Sequence, residues 1–238
     1  MTSVSDTRGP MPRPASPAAD HHRRGFDVSK RGFDVAVSAL GLIGLAPVMA
    51  ATAVVVTRGL GRPILFRSNR AGRSGRPFRM LKFRTMLPVD PARGLVDDAD
   101  RLTPLGSKLR TVSLDELPEL VNVLRGEMSL IGPRPLPVDY LPLYSPEQAR
   151  RHEVRPGITG LAQVSGRNAL TWEEKFAYDV WYVDHRSWSL DLRILVRTLL
   201  TVFRGDGISA EGHATMHPFT GSPASQASAT APLAEVAT

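Results

Sequence analysis

Two neighbouring carboxylates, Asp115 and Glu116, stand in the centre of the chain within the segment SLDELPEL. Ser113 and Glu116 have the spacing of a capping box, which predicts a helix that begins here and runs toward Arg125, with Pro118 perturbing its first turn. Amide N–H groups are unpaired at a helix start, and the helix dipole favours anions there. Either the two acids only complement this helix start, or the helix start holds a phosphate that one carboxylate attacks while the other holds a divalent cation.

Lys82, Arg84 and Arg134 are the cations that can grip such a phosphate. Arg134 stands between two prolines in the motif GPRP, so its backbone is fixed and it loses little freedom when it binds a phosphate through two hydrogen bonds. Lys82 and Arg84, in the motif KFRTM, lie where a predicted strand ends. Taken alone, each motif is also compatible with a plain turn or with solvent-exposed charge.

The elements that must position these residues begin with an uncharged segment of 23 residues, Val35 to Thr57. As a straight helix it would rise roughly 35 Å, which exceeds the roughly 30 Å of a bilayer's hydrocarbon core. It starts too far along the chain for a signal peptide and lacks the leading basic region and the cleavage site. Pro47 lies in its middle and predicts a kink or a break there, because proline removes a helical hydrogen bond and clashes with the preceding turn.

Basic residues flank this segment on both sides, and no Asp or Glu stands between Arg58 and Arg84. Lysine and arginine mark the cytoplasmic side of a membrane segment, and here both ends are marked. We therefore predict a re-entrant anchor over residues 25–60 that enters one leaflet, bends at Pro47 and returns to the same side. A straight transmembrane helix is the alternative that length alone allows.

The segments after the anchor predict a small β-hairpin followed by helices. Residues 64–69 and 77–83 are strand-like and are joined by AGRSG, whose two glycines favour a turn. Ser145 before Pro146 is typical of a helix N-cap, and apolar residues recur at helical spacing over residues 172–184. A last helix, over about residues 190–203, carries an apolar face and arginines, so it either packs on the core or lies at a lipid interface.

Composition bounds what else the protein can be. The 238 residues contain no cysteine, which excludes disulfides, thiolate nucleophiles and cysteine-ligated metal sites. The net charge of +7 favours an anionic partner such as nucleic acid, a phosphorylated substrate or an anionic lipid surface. Neither end of the chain shows an apolar period, and we predict disordered tails over residues 1–24 and 217–238. The predicted fold class is α+β and mostly helical.

Four ordered motifs connect these segments: KFRTM, SLDELPELVNVLRGEMSLIGPRP, RHEVRPGITGLAQVSGRN, and FAYDVWYV with the later SLDLRIL. Together they resemble the bacterial sugar transferase family, the polyprenol-phosphate sugar-1-phosphate transferases, and more closely its small monotopic phosphoglycosyl transferases. The resemblance covers about residues 30–221. It implies a helical catalytic domain over residues 61–216, with interfacial amphipathic helices, on the cytoplasmic face of the inner membrane.

The resemblance also implies a two-step transfer in the first membrane step of exopolysaccharide, capsule, O-antigen or glycoprotein glycan assembly. The family's aspartate, Asp115 here, attacks the sugar-bearing phosphate of a UDP-sugar, and UMP leaves. Undecaprenyl phosphate, the polyprenol acceptor, then displaces the aspartate from a phosphosugar-aspartate intermediate. Glu116 matches the carboxylate associated with magnesium, and Mg²⁺ is the expected cofactor. The residues that match family positions around the phosphates are Lys82, Arg84, Arg134 and Asp179.

Two positions depart from the family's pattern. Family members often carry Ser-Pro at the membrane break, where the hydroxyl can satisfy a freed carbonyl, whereas this chain has Ala46-Pro47. Val112 stands before SLDEL, where a polar or small residue is more usual. Neither change touches the groups expected to react.

Two other classes of function fit parts of the sequence. A nucleic-acid-binding protein would also be basic, but the chain has no zinc-ligand spacing, RNA-recognition aromatic motif or basic zipper, so no nucleic-acid partner is predicted. A membrane scaffold would keep the fold and lose the chemistry, whereas the candidate acids and cations are all present. The expected partners are therefore a UDP-sugar, undecaprenyl phosphate and membrane lipids.

The donor sugar stays open at this level. The segments GDGISAEGHATMHPFTG (residues 205–221) and PLPVDYLPLY resemble members that use N-acetylated amino sugars, which favours a donor such as diacetylated bacillosamine. Glucose, galactose and N-acetylgalactosamine are the alternatives, because hydroxyl and acetamido groups are distinguished by a few contacts that a sequence does not position.

Overall fold

The computed structural model describes residues 17–166, 169–204 and 218–221, which form a mostly helical fold with two small two-stranded sheets. The helices are α1 (Pro17–Gly44), α2 (Ala46–Leu60), α3 (Asp98–Arg101), α4 (Pro104–Thr111), α5 (Glu119–Arg125), α6 (Pro146–Ala149), α7 (Leu161–Ser165), α8 (Trp172–His185) and α9 (Trp188–Arg204). The strands are β1 (Leu65–Ala71), β2 (Pro77–Phe83), β3 (Ser129–Ile131) and β4 (Gly157–Thr159). The predicted α+β, mostly helical class is confirmed.

The predicted anchor consists of α1 and α2, which meet at Leu45 with a bend of 62°. Pro47 lies in the first turn of α2, so the break falls just before the proline, whose missing N–H leaves the carbonyl of Ile43 without its helical partner. The Thr52 hydroxyl donates to Val48 O within its own helix (2.8 Å) and does not serve the break. None of the helices in the described ranges is long and apolar enough by itself to cross a membrane, whereas α1 and α2 together have the length and composition of a bent pair that enters one.

The first helix begins earlier than the sequence suggests. Residues 17–24, expected in the N-terminal tail, are the first turns of α1. Pro17 is a favourable first helical residue and the two alanines that follow have high helix propensity, which explains the earlier start.

The predicted hairpin is confirmed. β1 and β2 pair antiparallel, from Leu65 opposite Phe83 to Ala71 opposite Pro77. The second sheet, in which β3 and β4 pair in parallel, was not predicted. Strands of three residues carry too little alternation to be recognised in a sequence.

The start of the central helix differs from the prediction. Ser113 adopts the left-handed conformation (φ 55°), and its side chain makes no capping hydrogen bond. The segment Leu114–Glu116 forms a single 3₁₀ turn, and α5 begins only at Glu119. A continuous helix from Ser113 would need an N–H at position 118 to bond the carbonyl of Leu114, and Pro118 has none. The capping-box prediction is therefore wrong, and the two candidate carboxylates lie on a tight turn.

The C-terminal helices agree with the sequence pattern. Ser145 caps α6 in a capping box with Gln148, and α8 and α9 cover the two predicted helical stretches. Residues 218–221, expected in the C-terminal tail, pack against the protein instead. Phe219 is buried, and its N–H donates to the hydroxyl of Tyr140 (3.0 Å). Burial of the aromatic ring stabilises this contact. Residues 1–16, 217 and 222–238 of the two predicted tails lie outside the described ranges.

The anchor shares a core with the elements that follow it. Val56 of α2 packs with Phe83 of β2 and Leu109 of α4. Val123 of α5 packs with Met80, on the same strand β2. Strand β2 therefore lies between the end of the anchor and α5, which places the end of this strand next to the turn that carries the candidate carboxylates.

Candidate active site

Three of the candidate residues meet where β2 ends. Lys82 Nζ lies 2.6 Å from Glu116 Oε1, and Arg134 Nη2 lies 3.4 Å from the same oxygen. Lys82 comes from β2, Glu116 from the 3₁₀ turn and Arg134 from the proline-flanked loop after β3. About half of the Arg134 side chain (47%) is exposed to solvent, whereas Lys82 is largely buried (14%). One cation is therefore built into the site, and the other faces an incoming ligand.

Asp115 lies beside this cluster and is buried. Burial raises the pKa of its carboxyl to about 6, because the low-dielectric surroundings disfavour the charged form. Lys82 and Arg110 oppose this rise, and the negative charge of Glu116 adds to it. At neutral pH the carboxylate form predominates, and it is poorly hydrated, which favours its use as a nucleophile.

The pKa of Glu116 shifts downward, opposite to that of Asp115, although the two residues are neighbours in the chain. Burial alone would raise its pKa, but the charges and hydrogen bonds of Lys82 and Arg134 outweigh burial and hold the pKa at about 2. Glu116 therefore stays ionised at every physiological pH. The two neighbouring acids have their pKa values pushed apart by their surroundings, a pattern found where carboxylates take different roles in one reaction.

Glu119 belongs to the same cluster, although the sequence analysis assigned it no role. Its side chain is buried, and Oε1 lies 3.2 Å from Lys82 Nζ. Burial raises the pKa of Glu119 to about 7; Lys82 lowers it and Glu116 adds to the rise. Its spacing was the available signal, since it stands three residues after Glu116 in the same acidic motif.

Asn122 fixes α5 against β2. Its side chain is fully buried; Oδ1 accepts the N–H of Leu81 (3.0 Å), and Nδ2 donates to the carbonyl of Arg79 (2.7 Å). Lys82 follows Leu81 on the strand, so these two hydrogen bonds set the position of Lys82 relative to the acids at the start of α5. A polar residue on the apolar side of the segment ELVNVL was the signal for this role.

Arg110, at the end of α4, is a third residue that was not predicted from the sequence, after Glu119 and Asn122. Its Nε donates to Thr85 Oγ1 (3.1 Å), and it is one of the cations that oppose the raised pKa of Asp115. Helix α4 comes this close because residue 106 is glycine: a Cβ there would lie 1.8 Å from the carbonyl oxygen of Thr85. Nothing in the spacing of Arg110 distinguishes it from an ordinary surface arginine.

Arg84 lies at the end of the anchor instead of at the carboxylate cluster. Its guanidinium donates to the carbonyls of Leu60, Gly61 (2.7 Å) and Arg62 (3.3 Å). These carbonyls belong to the C-terminal end of α2 and the residues after it, where helical partners are missing. Arg84 therefore holds the C-terminal end of α2, and the phosphate-binding role assigned to it stays a prediction.

Asp179 lies behind the proline-flanked loop. It is buried in α8 and pairs with Arg151, whose Nη2 is 2.7 Å and whose Nε is 3.0 Å from Asp179 Oδ2. The same Nη2 donates to the backbone carbonyl of Arg134 (2.7 Å). The structure thus connects Asp179 to the site through Arg151, so Asp179 positions the loop that carries Arg134; direct contact with a phosphate stays a prediction.

The residues present fit a magnesium ion that is shared with a ligand. Within the described ranges there is no group of three or more His, Cys, Asp or Glu side chains that could hold a metal by themselves. Mg²⁺ needs no such cage, because it commonly binds one or two carboxylates together with phosphate oxygens and water. Glu116 and Glu119 both approach Lys82 Nζ, so two carboxylates lie together around one cation, and their oxygen atoms are of the ligand type that Mg²⁺ prefers.

Comparisons with known proteins agree on one family. The family model described as "Bacterial sugar transferase" matches residues 26–205. The "Uncharacterized sugar transferase EpsL" of Bacillus subtilis is 49% identical over 196 residues, which cover 82% of this chain and 97% of that protein. The "Exopolysaccharide production protein ExoY" of Sinorhizobium fredii is 40% identical over 194 residues (74% and 85%). The "UDP-glucose:undecaprenyl-phosphate glucose-1-phosphate transferase" of Caulobacter vibrioides is 40% identical over 212 residues (83% and 74%).

Proposed function

Since this chain belongs to the bacterial sugar transferase family, we propose that it moves a sugar-1-phosphate from a UDP-sugar to undecaprenyl phosphate and releases UMP. The observation that carries the proposal is the buried carboxylate of Asp115 beside the Lys82, Glu116 and Arg134 cluster. A nucleophilic carboxylate next to two cations suits attack on a phosphate. The Caulobacter vibrioides relative is named as a UDP-glucose:undecaprenyl-phosphate transferase, which supports the same donor and acceptor classes.

The first step forms a bond between Asp115 and phosphorus. An Asp115 carboxylate oxygen attacks the sugar-bearing phosphorus of the UDP-sugar. The bond between this phosphorus and the oxygen that bridges to UMP breaks, and UMP leaves with the electron pair. The product is an acyl phosphate on Asp115 that still carries the sugar, so the difficult transfer is divided into two displacements.

The second step regenerates the enzyme. An oxygen of undecaprenyl phosphate attacks the same phosphorus, the bond to Asp115 breaks, and the carboxylate is restored. The product is undecaprenyl diphosphate sugar. The atoms balance without any further reactant, and two displacements at one phosphorus need only one nucleophilic side chain.

Lys82 and Arg134 supply the charge that lets one anion approach another. A carboxylate that attacks a diphosphate is repelled unless cations neutralise the phosphate oxygens. Lys82 is held in place by two acids, and half-exposed Arg134 can form two parallel hydrogen bonds to a phosphate. The tie from Arg151 to the Arg134 carbonyl keeps this loop oriented before substrate arrives.

Glu116 and Glu119 are the residues that would hold Mg²⁺, together with phosphate oxygens of the donor. When bound, the ion would neutralise phosphate charge. Glu116 suits this role because its pKa of about 2 keeps it ionised, and buried Glu119 offers a second carboxylate from the next turn.

The bent anchor supports catalysis at a membrane surface. A soluble nucleotide sugar and a lipid phosphate meet only at the interface, and the proposed re-entrant path keeps both ends of the α1 and α2 pair on the cytoplasmic side of the inner membrane. Exposed apolar side chains on these helices, such as Leu40 (70%) and Ile43 (75%), suit contact with lipid. Two segments favour an N-acetylated amino sugar, residues 135–144 and 205–221. Residues 205–217 lie outside the described ranges, and the contacts described for the rest do not distinguish donor sugars, so the donor sugar stays a prediction.

Asp115→Asn is the decisive variant for this proposal. It keeps the size of the side chain and removes the nucleophile, so UMP release should fall by about a thousandfold or more. The full chain is purified in detergent, incubated with labelled UDP-sugar and digested. The parent protein should then carry a sugar-phosphate adduct on Asp115, and the Asp115→Asn variant should carry none.

The matched control is Asp100→Asn, an exposed aspartate in α3, which should leave both signals unchanged. UMP release that survives Asp115→Asn, or product formation without an adduct on Asp115, would contradict the mechanism. Equal product from the variant and the parent would instead favour a scaffold whose activity comes from a contaminant.

A further inference from the structure

A second group of cations lies away from the carboxylate cluster. It lines a small open cleft between the N-terminal half of α1, the turn of the hairpin and the loop before β4. The charged residues that line this cleft are Asp27, Lys30, Arg31, Asp34, Arg73, Arg155 and Arg186. None of them has a role in the transfer proposed above.

Most of these charges already have partners. Lys30 pairs with Asp191 (2.6 Å), and Arg186 pairs with Asp27 (3.1 Å). The carboxylate of Asp34 accepts a backbone N–H from β3 (3.2 Å). Asp27 is thereby paired, whereas Asp34 keeps its negative charge, because the backbone N–H that it accepts is neutral. With Asp191 counted, three acids face the five cations of the cleft, which leaves an excess of two positive charges.

Arg31, Arg73 and Arg155 are the cations left over. Arg31 donates to the backbone carbonyls of Val123 and Leu124 (2.6 and 3.0 Å), which are not charged. Arg155 donates only its Nε, to the carbonyl of Gly126 (2.9 Å), and the guanidinium of Arg73 forms no hydrogen bond or ion pair in the part of the chain that the structure describes. Burial lowers the pKa of Arg155, and the charges of Arg31 and Arg73 lower it further. Asp34 and Asp27 oppose this lowering without reversing it. The three guanidinium groups thus line one cleft, and none of them forms an ion pair with another described residue.

We infer that this cleft binds a phosphate group, supplied either by the headgroup of an anionic phospholipid or by a soluble phosphate. Arg73 and the Nη atoms of Arg155 are free to form the parallel hydrogen bonds that guanidinium groups make with phosphate. The cleft lies beside the part of α1 that precedes its uncharged stretch, where a headgroup phosphate of the cytoplasmic leaflet is within reach. It is therefore well placed for a lipid.

The cleft is distinct from the site of transfer. Arg31 and Arg155 contact carbonyls at the C-terminal end of α5 and just after it, whereas Glu119 opens the same helix beside Lys82. Seven helical residues separate the two ends by about 10 Å. A phosphate in the cleft thus contacts the cations that hold the far end of the catalytic helix, and its binding would steady that helix without entering the reaction.

The test measures binding, not turnover, so its failure would leave the proposed transfer standing. Full chain in a nonionic detergent is titrated with dihexanoylphosphatidylglycerol, with inorganic phosphate and with zwitterionic dihexanoylphosphatidylcholine, and the midpoint of thermal unfolding is followed. We expect a saturable rise with phosphatidylglycerol. A similar rise with inorganic phosphate would identify the phosphate group alone as the ligand, and its absence would identify the lipid headgroup.

Arg73→Gln with Arg155→Gln should weaken the apparent affinity by at least about tenfold, since each removes a charge-assisted contact. Arg67→Gln with Arg93→Gln removes the same net charge from exposed positions outside the cleft and should change the affinity less than twofold. Arg73→Gln alone, in an exposed turn, tests the cleft if the double variant folds poorly. Absence of any saturable rise, a rise of the same size with phosphatidylcholine, or equal loss in both double variants would overturn the inference.

Discussion

Lys82 carries the charge balance of the carboxylate cluster. It lies within 3.2 Å of Glu116 and Glu119, and it is the largest influence that lowers the pKa values of Asp115, Glu116 and Glu119. Without it, the three acids would be opposed only by arginines, half-exposed Arg134 and Arg110 at the end of α4. The pKa of Lys82 is itself raised, because these acids outweigh its burial. Lys82 therefore belongs to the resting structure of the site in addition to its proposed role in phosphate binding.

Glu119→Gln tests whether the second buried acid contributes to magnesium binding. The amide keeps the shape and removes a carboxylate beside Glu116, so the Mg²⁺ concentration for half-maximal activity should rise about tenfold or more. The measurement is UMP release at saturating UDP-sugar over a series of Mg²⁺ concentrations. Glu147→Gln, on exposed α6, is the control. An unchanged half-saturating concentration in Glu119→Gln would remove Glu119 from the metal site.

At the scale of elements, α5 is held at both ends by residues distant in sequence. Asn122 bonds to β2, and Arg31 of α1 donates to the carbonyls of Val123 and Leu124 where the helix ends. Helix α5 has seven residues, which is too short to be stable alone. Helix α1 therefore helps to support the turn that carries the candidate carboxylates, in addition to its proposed role as a membrane anchor.

The pair of Asp179 and Arg151 provides a second test at this scale. Asp179→Asn leaves a buried guanidinium without its counter-charge, which should lower the free energy of unfolding by about 3 to 5 kcal/mol. Replacing both residues with apolar ones, Asp179→Leu with Arg151→Met, should restore much of the stability.

The double variant should nevertheless lose activity, because nothing then holds the carbonyl of Arg134. Thermal unfolding and UMP release measured on the same preparations separate the two effects, and the expected signature is a higher KM for the UDP-sugar. A stable double variant with full activity would show that Arg151 does not position the loop.

For the whole molecule, the main question is how the bent pair α1 and α2 sits in the membrane. Val56 and Leu60 at the end of α2 are buried against β2 and α4, which ties the returning end to the catalytic domain. Arg84 reinforces this end by donating to the carbonyls of Leu60 and Gly61. Both ends of the pair thus contact one folded unit, as a re-entrant path requires.

The chain contains no cysteine of its own, so a single introduced cysteine can report on which side of the membrane its position lies. Ser29→Cys and Arg62→Cys place exposed thiols before and after the uncharged stretch. With both ends in the cytoplasm, a membrane-impermeant maleimide should label neither in intact cells and both after permeabilisation. Labelling of only one position in intact cells would show that the segment crosses the bilayer.

The spacing of residues along the chain was sufficient to predict several elements of the fold and part of the candidate site. Alternation and paired glycines identified the hairpin, helical periodicity identified α8 and α9, and proline chemistry placed a bend near Pro47. The motifs also named Lys82, Glu116 and Arg134, which the structure brings into contact. These features depend on neighbours a few residues apart, and such neighbours are visible in a chain before it folds.

Contacts between distant segments decided the rest. The pKa values of Asp115 and Glu116 diverge because of burial and because of cations that come from β2 and from the loop after β3. Arg84 and Asp179 resemble phosphate ligands in the motif, yet their partners are carbonyls of the anchor and a buried arginine. Burial and long-range pairing depend on which surfaces meet, and no spacing along the chain specifies that before the elements have packed.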